Sequence, residues 1–160
     1  MGAAPYPFLE SPTALAERIQ RTWDERIPLT RHMGVRIVEL DERGLRLAAP
    51  LAPNVNHMGT GFGGSLASVA TLTGWGLTQV LTSHVEDVHV VVRESRLRYR
   101  ATVTEDFETF CAFPAAEVID AFRDQLAQKH RARIQLQVSL TAGGRSCLAL
   151  DGDFAAFVGD

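Results

Sequence analysis

Hydrophobic positions change their period repeatedly along this chain, and each change predicts an element. Leu15, Ile19 and Trp23 recur at helical spacing behind Ser11 and Pro12, a capping residue and a first-turn proline, and Pro28 ends the run. Val35 to Leu40 reads as a strand, and Asp41–Gly44 as a turn. Leu45, Leu47, Ala49 and Leu51 then take alternate positions of a second strand that Pro50 and Pro53 stop. A glycine-rich loop leads into Phe62–Leu81, 20 residues with no charge, read as one helix. Val88 to Arg100 is a long strand, and Phe107 to Phe113 alternates until Pro114. Ala116–Gln128 is helical. Beyond it Ala132, Ile134, Leu136, Val138 and Leu140 face one way, and Arg131, Arg133, Gln135, Gln137 and Ser139 the other. That alternation marks a strand with one buried and one wet face, as in antiparallel sheets. Gly143-Gly144 signals a hairpin, and Cys147–Val158 returns as the last strand.

The uncharged helix has about the length of a membrane span. Ser65, Ser68, Thr71, Thr73, Thr78 and Gln79 dilute it, however, and no basic anchors flank it, so it reads as a helix buried inside protein. A helix apolar all round must be covered on most sides, and one curved sheet wrapped around it does so. The expected fold class is therefore α+β, a curved antiparallel β-sheet wrapped around a central apolar helix, which is the hotdog fold. Residues 1–160 are expected to form one domain, with 1–30 as an N-terminal helical segment. A homodimer joined along Val88–Arg100 would satisfy the edge of the long strand.

Net charge is -3, so no basic field draws nucleic acid. Cys111 and Cys147 lie in apolar runs, the pattern of a reduced pair filling core, and the expected location is cytoplasmic. The start lacks the basic and apolar regions of a secretory signal, and Tyr6 stands where myristoylation wants Ser or Thr. No Cys/His cluster has metal-ligand spacing and no serine sits in a nucleophile elbow, so neither metal nor other cofactor is expected.

Several segments from Ile27 onward resemble the hotdog thioesterase family typified by the YiiD C-terminal domain. They are Ile27-Pro28-Leu29, then Ala49 to His57, then Gly59-Thr60-Gly61-Phe62-Gly63-Gly64-Ser65-Leu66, with Gly74-Trp75-Gly76 and Arg98-Tyr99 adding to them. The resemblance implies hydrolysis of an acyl thioester, with coenzyme A or acyl carrier protein as leaving group.

Physical reasoning points to the same segment. Water attacking a thioester creates an oxyanion, and backbone N–H groups at a helix start are fixed donors for it. Gly63 and Gly64 open the apolar helix and allow close approach to its backbone; the structural alternative is that they only let the loop turn and the helix pack. Gly59 to Gly64 also satisfies G-x-G-x-x-G, but no hydrophobic strand precedes it and the flanking strands read antiparallel, which excludes a dinucleotide site.

Asn56 stands seven residues before Gly63, the spacing of the catalytic asparagine in the phenylacetyl-coenzyme A branch of these thioesterases; Gly59-Thr60 resembles that branch too. Asn56 either holds water or thioester or, like Asn54, bonds its own turn. Phe62 replaces that branch's histidine. Thr71 occupies the place of its carboxylate and cannot act as a carboxylate base. Thr71 either orients a water or, as expected, satisfies its hydroxyl within the helix. Substitute bases are His57, Glu86, Asp87 and Glu94, the last reaching across a dimer or pairing with Arg96 or Arg98. Arg93, Arg96, Arg98 and Arg100 either grip phosphates or, as expected, form the wet face of a sheet. The assigned catalytic residues are Asn56, His57, Gly63 and Glu94, and the substrate-binding ones Gly59, Thr60, Gly64 and Thr71. Hydrolysis of an acyl-CoA or acyl-ACP is the leading expectation. A non-catalytic module binding the same thioesters is the alternative, and a hydroxyacyl-thioester dehydratase ranks last for want of a helix acid.

Overall fold

The computed structural model describes residues 10–159. The readings made for the first nine residues, including Tyr6 and the start of the 1–30 segment, lie outside them. Helix α1 is Pro12–Arg26, with Ser11 Oγ accepting from the Ala14 amide at 3.2 Å. Pro28 does not merely end α1; it opens a short second helix, α2 (Pro28–Met33), because proline suits a first helical position. Gly34 closes α2 at φ 70°, and the Thr30 hydroxyl donates to the Trp23 and Ile27 carbonyls across the joint.

Six strands follow: β1 (Arg36–Leu40), β2 (Gly44–Ala49), β3 (Val88–Tyr99), β4 (Phe107–Ala112), β5 (Arg131–Ala142) and β6 (Arg145–Val158). They form one sheet in the order β1-β2-β4-β5-β6-β3, with every neighbouring pair antiparallel. Leu51 falls outside β2, since Pro50 breaks the strand and a 3-10 turn (Ala52–Asn54) takes over. Gly143 and Gly144, at φ 56° and 74°, make the tight β5–β6 hairpin.

The uncharged segment is helix α3 (Gly63–Leu81), packed across β2 to β6. Gly74 and Gly76 set how closely it lies. A Cβ on Gly74 would stand 2.5 Å from the Phe154 ring, and one on Gly76 2.8 Å from the Trp23 ring. Trp23 is fully buried between α1 and α3 and donates its indole N–H to Gln79 Oε1 at 2.9 Å. The buried hydroxyls of Thr73 and Thr109 pair at 2.6 Å between α3 and β4. Helix α4 (Ala116–Lys129) covers the remaining core with Ile119, Phe122 and Leu126.

The outer face of the sheet is wet. Arg93 and Arg98 pair there with Asp153 and Asp151, at 3.0 and 3.1 Å, so the arginine row is a solvated face as its spacing predicts. The two edges differ. At β1 the Gln20 amide acts as a single strand rung, donating to the Val35 carbonyl and accepting from the Ile37 amide. At β3, the longer edge, the Trp75 indole donates to the Val90 carbonyl, and Val91 and Val92 beside it are exposed.

Removing the Trp23 side chain is expected to cost about 3–5 kcal/mol, as for other large buried aromatics. Urea unfolding of Trp23→Ala checks this; a loss below about 1 kcal/mol would contradict the packing. Burial pushes the Cys111 thiol from its ordinary 9.0 up to about 12. The unfolded thiol therefore ionises first, and stability falls as pH rises between those values, by about 1.4 kcal/mol per pH unit. Compared with Cys111→Ala between pH 8 and 10.5, the parent is expected to lose stability faster above pH 9. Parallel profiles would refute the assignment.

Candidate active site

The loop from Asn54 to Phe62 delivers the chain into α3, and its local bonds explain its shape. Val55 and Gly61 form an antiparallel bridge, the Asn56 amide donates to the Thr60 carbonyl at 2.7 Å, and the Phe62 amide donates to the Asn54 carbonyl at 2.7 Å. Inside this turn Asn56 Oδ1 accepts from the Met58 and Thr60 amides at 2.9 and 3.1 Å, and Asn56 Nδ2 donates to Thr60 Oγ1 at 2.9 Å. Asn56 is thus the residue that shapes the turn, with one Nδ2 hydrogen left over. Gly59 sits at φ 76°, in the left-handed conformation the turn requires. His57 is exposed on the same loop.

Asn54, expected to bond its own turn, does more. It is 1 % exposed, and its Nδ2 donates to the Pro50 carbonyl and to the Met33 carbonyl, both at 2.8 Å. It ties the end of α2 and the exit of β2 to the start of α3. No periodicity marks a contact between residues 33 and 54, so only the buried environment distinguishes Asn54 from Asn56.

The start of α3 is open. Phe62 is its N-cap and no side chain caps it, Ser65 included. Among the described residues the amides of Gly63, Gly64 and Ser65 have no hydrogen-bond acceptor. Such unpaired N–H groups, with the helix dipole behind them, favour an oxyanion. The Tyr99 hydroxyl at the end of β3 donates to the Gly63 carbonyl at 2.9 Å, which fixes the first turn against the sheet. A Cβ on Gly64 would stand 2.7 Å from the exposed Phe62 ring, so a larger residue there would push aside the aromatic that stands in the histidine's place.

One turn further along α3, from Ala67 to Trp75, lies an apolar groove of about 410 Å³. Ala67, Ser68, Thr71, Leu72 and Trp75 form its floor, Ile27, Leu29, Thr30 and Met33 one wall, and Val92 of β3 the other. Thr71 corrects the expectation that its hydroxyl would bond within the helix. Ser68, Thr73 and Thr78 each donate to the carbonyl four residues back, whereas the Thr71 hydroxyl has no partner among the described residues and faces the groove.

The acids are not brought to this place within one chain. Glu94 stands opposite Asp153, which in turn stands opposite the exposed Gln135, so it projects from the outer face of the sheet, away from α3. It is not the partner of Arg98 either, which pairs with Asp151. Glu86 and Asp87 lie at the opposite end of β3 from Tyr99, about 40 Å along the strand. Among the described residues no group of His, Cys, Asp and Glu is arranged to hold a metal ion, and no helix is long and apolar enough to cross a membrane.

Solved structures with this architecture are numerous. A Shewanella oneidensis protein described as a "putative thioesterase" is 29 % identical, with 91 % of this chain and 99 % of that one covered and a TM-score of 0.82. A Chlorobaculum tepidum protein of unknown function is 26 % identical over 93 % and 98 % of the two chains, with a TM-score of 0.87. A Haemophilus influenzae thioesterase shares the fold at 11 % identity and a TM-score of 0.68, covering 89 % of this chain and 90 % of its own. The family described as "Putative thioesterase (yiiD_Cterm)" matches residues 16–158, nearly the whole described chain. The fold is the hotdog fold, and the chain belongs to the YiiD C-terminal thioesterase family.

Proposed function

We propose that this protein hydrolyses an acyl thioester at the N-terminus of α3, with coenzyme A or acyl carrier protein as the leaving group. The observation that carries the reading is the pair of unpartnered amides at Gly63 and Gly64, one turn before an apolar groove on the same helix, in a chain of a thioesterase family. The thioester oxygen accepts from these amides, and the acyl chain lies in the groove. As water attacks the carbonyl carbon, the growing negative charge on that oxygen is held by donors already in place. The tetrahedral intermediate then expels the thiolate, leaving a carboxylic acid and a thiol. Gly59 and Thr60 hold the loop, and the remaining Nδ2 hydrogen of Asn56 is offered to the thioester or the water. The unpartnered Thr71 hydroxyl faces the groove, placed to hold that water or the substrate. Neither a metal nor another cofactor takes part.

The water needs a base. His57 lies exposed on the loop, and its imidazole can take a proton from the water. The dimer offers a second source. Each edge of the sheet takes one side-chain rung from the chain itself, Gln20 at β1 and the Trp75 indole at the Val90 carbonyl of β3; β3 is the longer of the two, and we place the homodimer there, along Val88–Arg100. Two-fold antiparallel pairing exchanges strand ends, so each site receives the Glu86–Asp87 end of the other subunit's β3 beside its own Tyr99. Glu94, on the outer face, has no part in this scheme. The chain acts as one domain, in the cytoplasm, where its two buried cysteines stay reduced.

One observation favours a second reading, a non-catalytic module that binds the same thioesters: α3 carries no carboxylate, and Thr71 stands in its place.

Release of free thiol from acyl-CoA substrates tests the proposal. Asn56→Ala, folded and dimeric, is expected to turn over at least about tenfold more slowly than the parent. Unchanged turnover would remove Asn56 from the scheme. A pH limb near neutrality that vanishes in His57→Ala assigns the base to histidine, and one near the carboxylate range assigns it to the other subunit's acids. A parent that binds acyl-CoA tightly and releases no thiol would establish the module reading instead. Light scattering at micromolar protein is expected to give a dimer, and a monomer would contradict the β3 pairing.

A further inference from the structure

Along α3, Trp75 is the last residue to line the groove. This indole is anchored on both sides. Its Nε1 donates to the Val90 carbonyl of β3 at 2.6 Å, and its ring stacks on Trp23 with centroids 6.1 Å apart. Trp75 therefore bridges the gap between α3 and β3 in which the groove runs and backs onto α1 behind it. Val92 lines the groove above the indole, while Val90 lies below, outside it. An anchored ring of this kind cannot swing aside without losing a hydrogen bond and an aromatic contact.

Charge and polarity narrow the occupant further. No residue lining the groove is ionisable. Of its hydroxyls, those of Thr30 and Ser68 are spent on backbone carbonyls, which leaves Thr71 alone. A carboxylate or ammonium at the far end of an acyl chain would lose its hydration there and find no counter-charge.

We infer that Trp75 is the ruler of the acyl site and that the substrate is a medium-length, uncharged, straight acyl chain. The inference rests on the thioester reading above and specifies its substrate class. From the Gly64 amide to Trp75, α3 rises about 16 Å, which with the thickness of the ring leaves room for a chain of roughly eight to twelve carbons. Short acyl groups leave apolar wall uncovered and gain little; longer ones meet the indole.

The experiment is a series of saturated acyl-CoAs from two to sixteen carbons, with kcat/KM taken for the parent, Trp75→Ala and Ala67→Leu. The parent is expected to peak at about eight to twelve carbons and to fall at least tenfold by sixteen. Trp75→Ala, which removes the indole from that end of the groove, should extend the range to longer chains. Ala67→Leu fills the upper groove from a half-exposed position and should move the optimum shorter. A ten-carbon chain ending in a carboxylate should fall at least tenfold below its methyl-ended equivalent. A parent that prefers acetyl, one that hydrolyses sixteen carbons as well as ten, or a profile unmoved by Trp75→Ala would overturn the inference. Equilibrium binding of ten- and sixteen-carbon acyl-CoA, followed by tryptophan fluorescence, separates this claim from catalysis. Preferential binding of the shorter chain without hydrolysis would sustain the ruler and refute the hydrolase; equal binding of both would refute the ruler whatever the turnover.

Discussion

Burying a helix that carries no charge is the constraint from which the rest of this structure follows. Helix α3 presents apolar or small residues on nearly every side, so it must be enclosed, and the enclosure is close. Phe154 occupies the space that a side chain on Gly74 would need, and Trp23 that of a side chain on Gly76. Backbone approach of this kind gives dispersion contact that a bulkier helix would forfeit. It also fixes the axial position of α3 relative to the sheet, and with it the place where the helix begins.

The same enclosure leaves two parts of α3 uncovered, its first turn and the stripe from Ala67 to Trp75. The first turn is held from outside by Tyr99 on the Gly63 carbonyl and by Asn54 tying the preceding loop to α2 and β2. Its N–H groups are thereby positioned without being used. A donor fixed by the fold and left unpaired needs no reorganisation when charge develops, which makes it effective toward an oxyanion. The uncovered stripe begins one turn later as the apolar groove, so the place for the reacting carbonyl and the place for the chain lie on one helix.

Most of the architecture was legible because burial writes itself as periodicity. The alternation of Ala132 to Leu140, the uncharged run to Leu81 and the double glycine at 143–144 each reflect a backbone requirement that few residues satisfy. Helix α2 was not legible, since Pro28 can end one helix or begin another and only Thr30 bonding back to Trp23 decides. The site was legible in part. Gly63 and Gly64 stand where the helix opens, as their position implies. The face on which Glu94 projects was hidden, because the register slips between Val92 and Glu94 and a one-residue slip turns side chains to the other side of a sheet. Asn54 and Asn56 look alike in sequence, and long-range contacts alone separate the buried tie from the turn former. The free hydroxyl of Thr71 depends on which α3 stripe the rest of the chain leaves uncovered, which no local pattern records.

The account stands or falls on where a thioester carbonyl sits. A crystal structure with a non-hydrolysable ketone analogue of a medium-chain acyl-CoA measures this directly. The account predicts the ketone oxygen within about 2.7–3.1 Å of the Gly63 or Gly64 amide nitrogen, with the acyl chain along α3 toward Trp75. A ligand seated on the outer face of the sheet, or a carbonyl turned away from the start of α3, would contradict it.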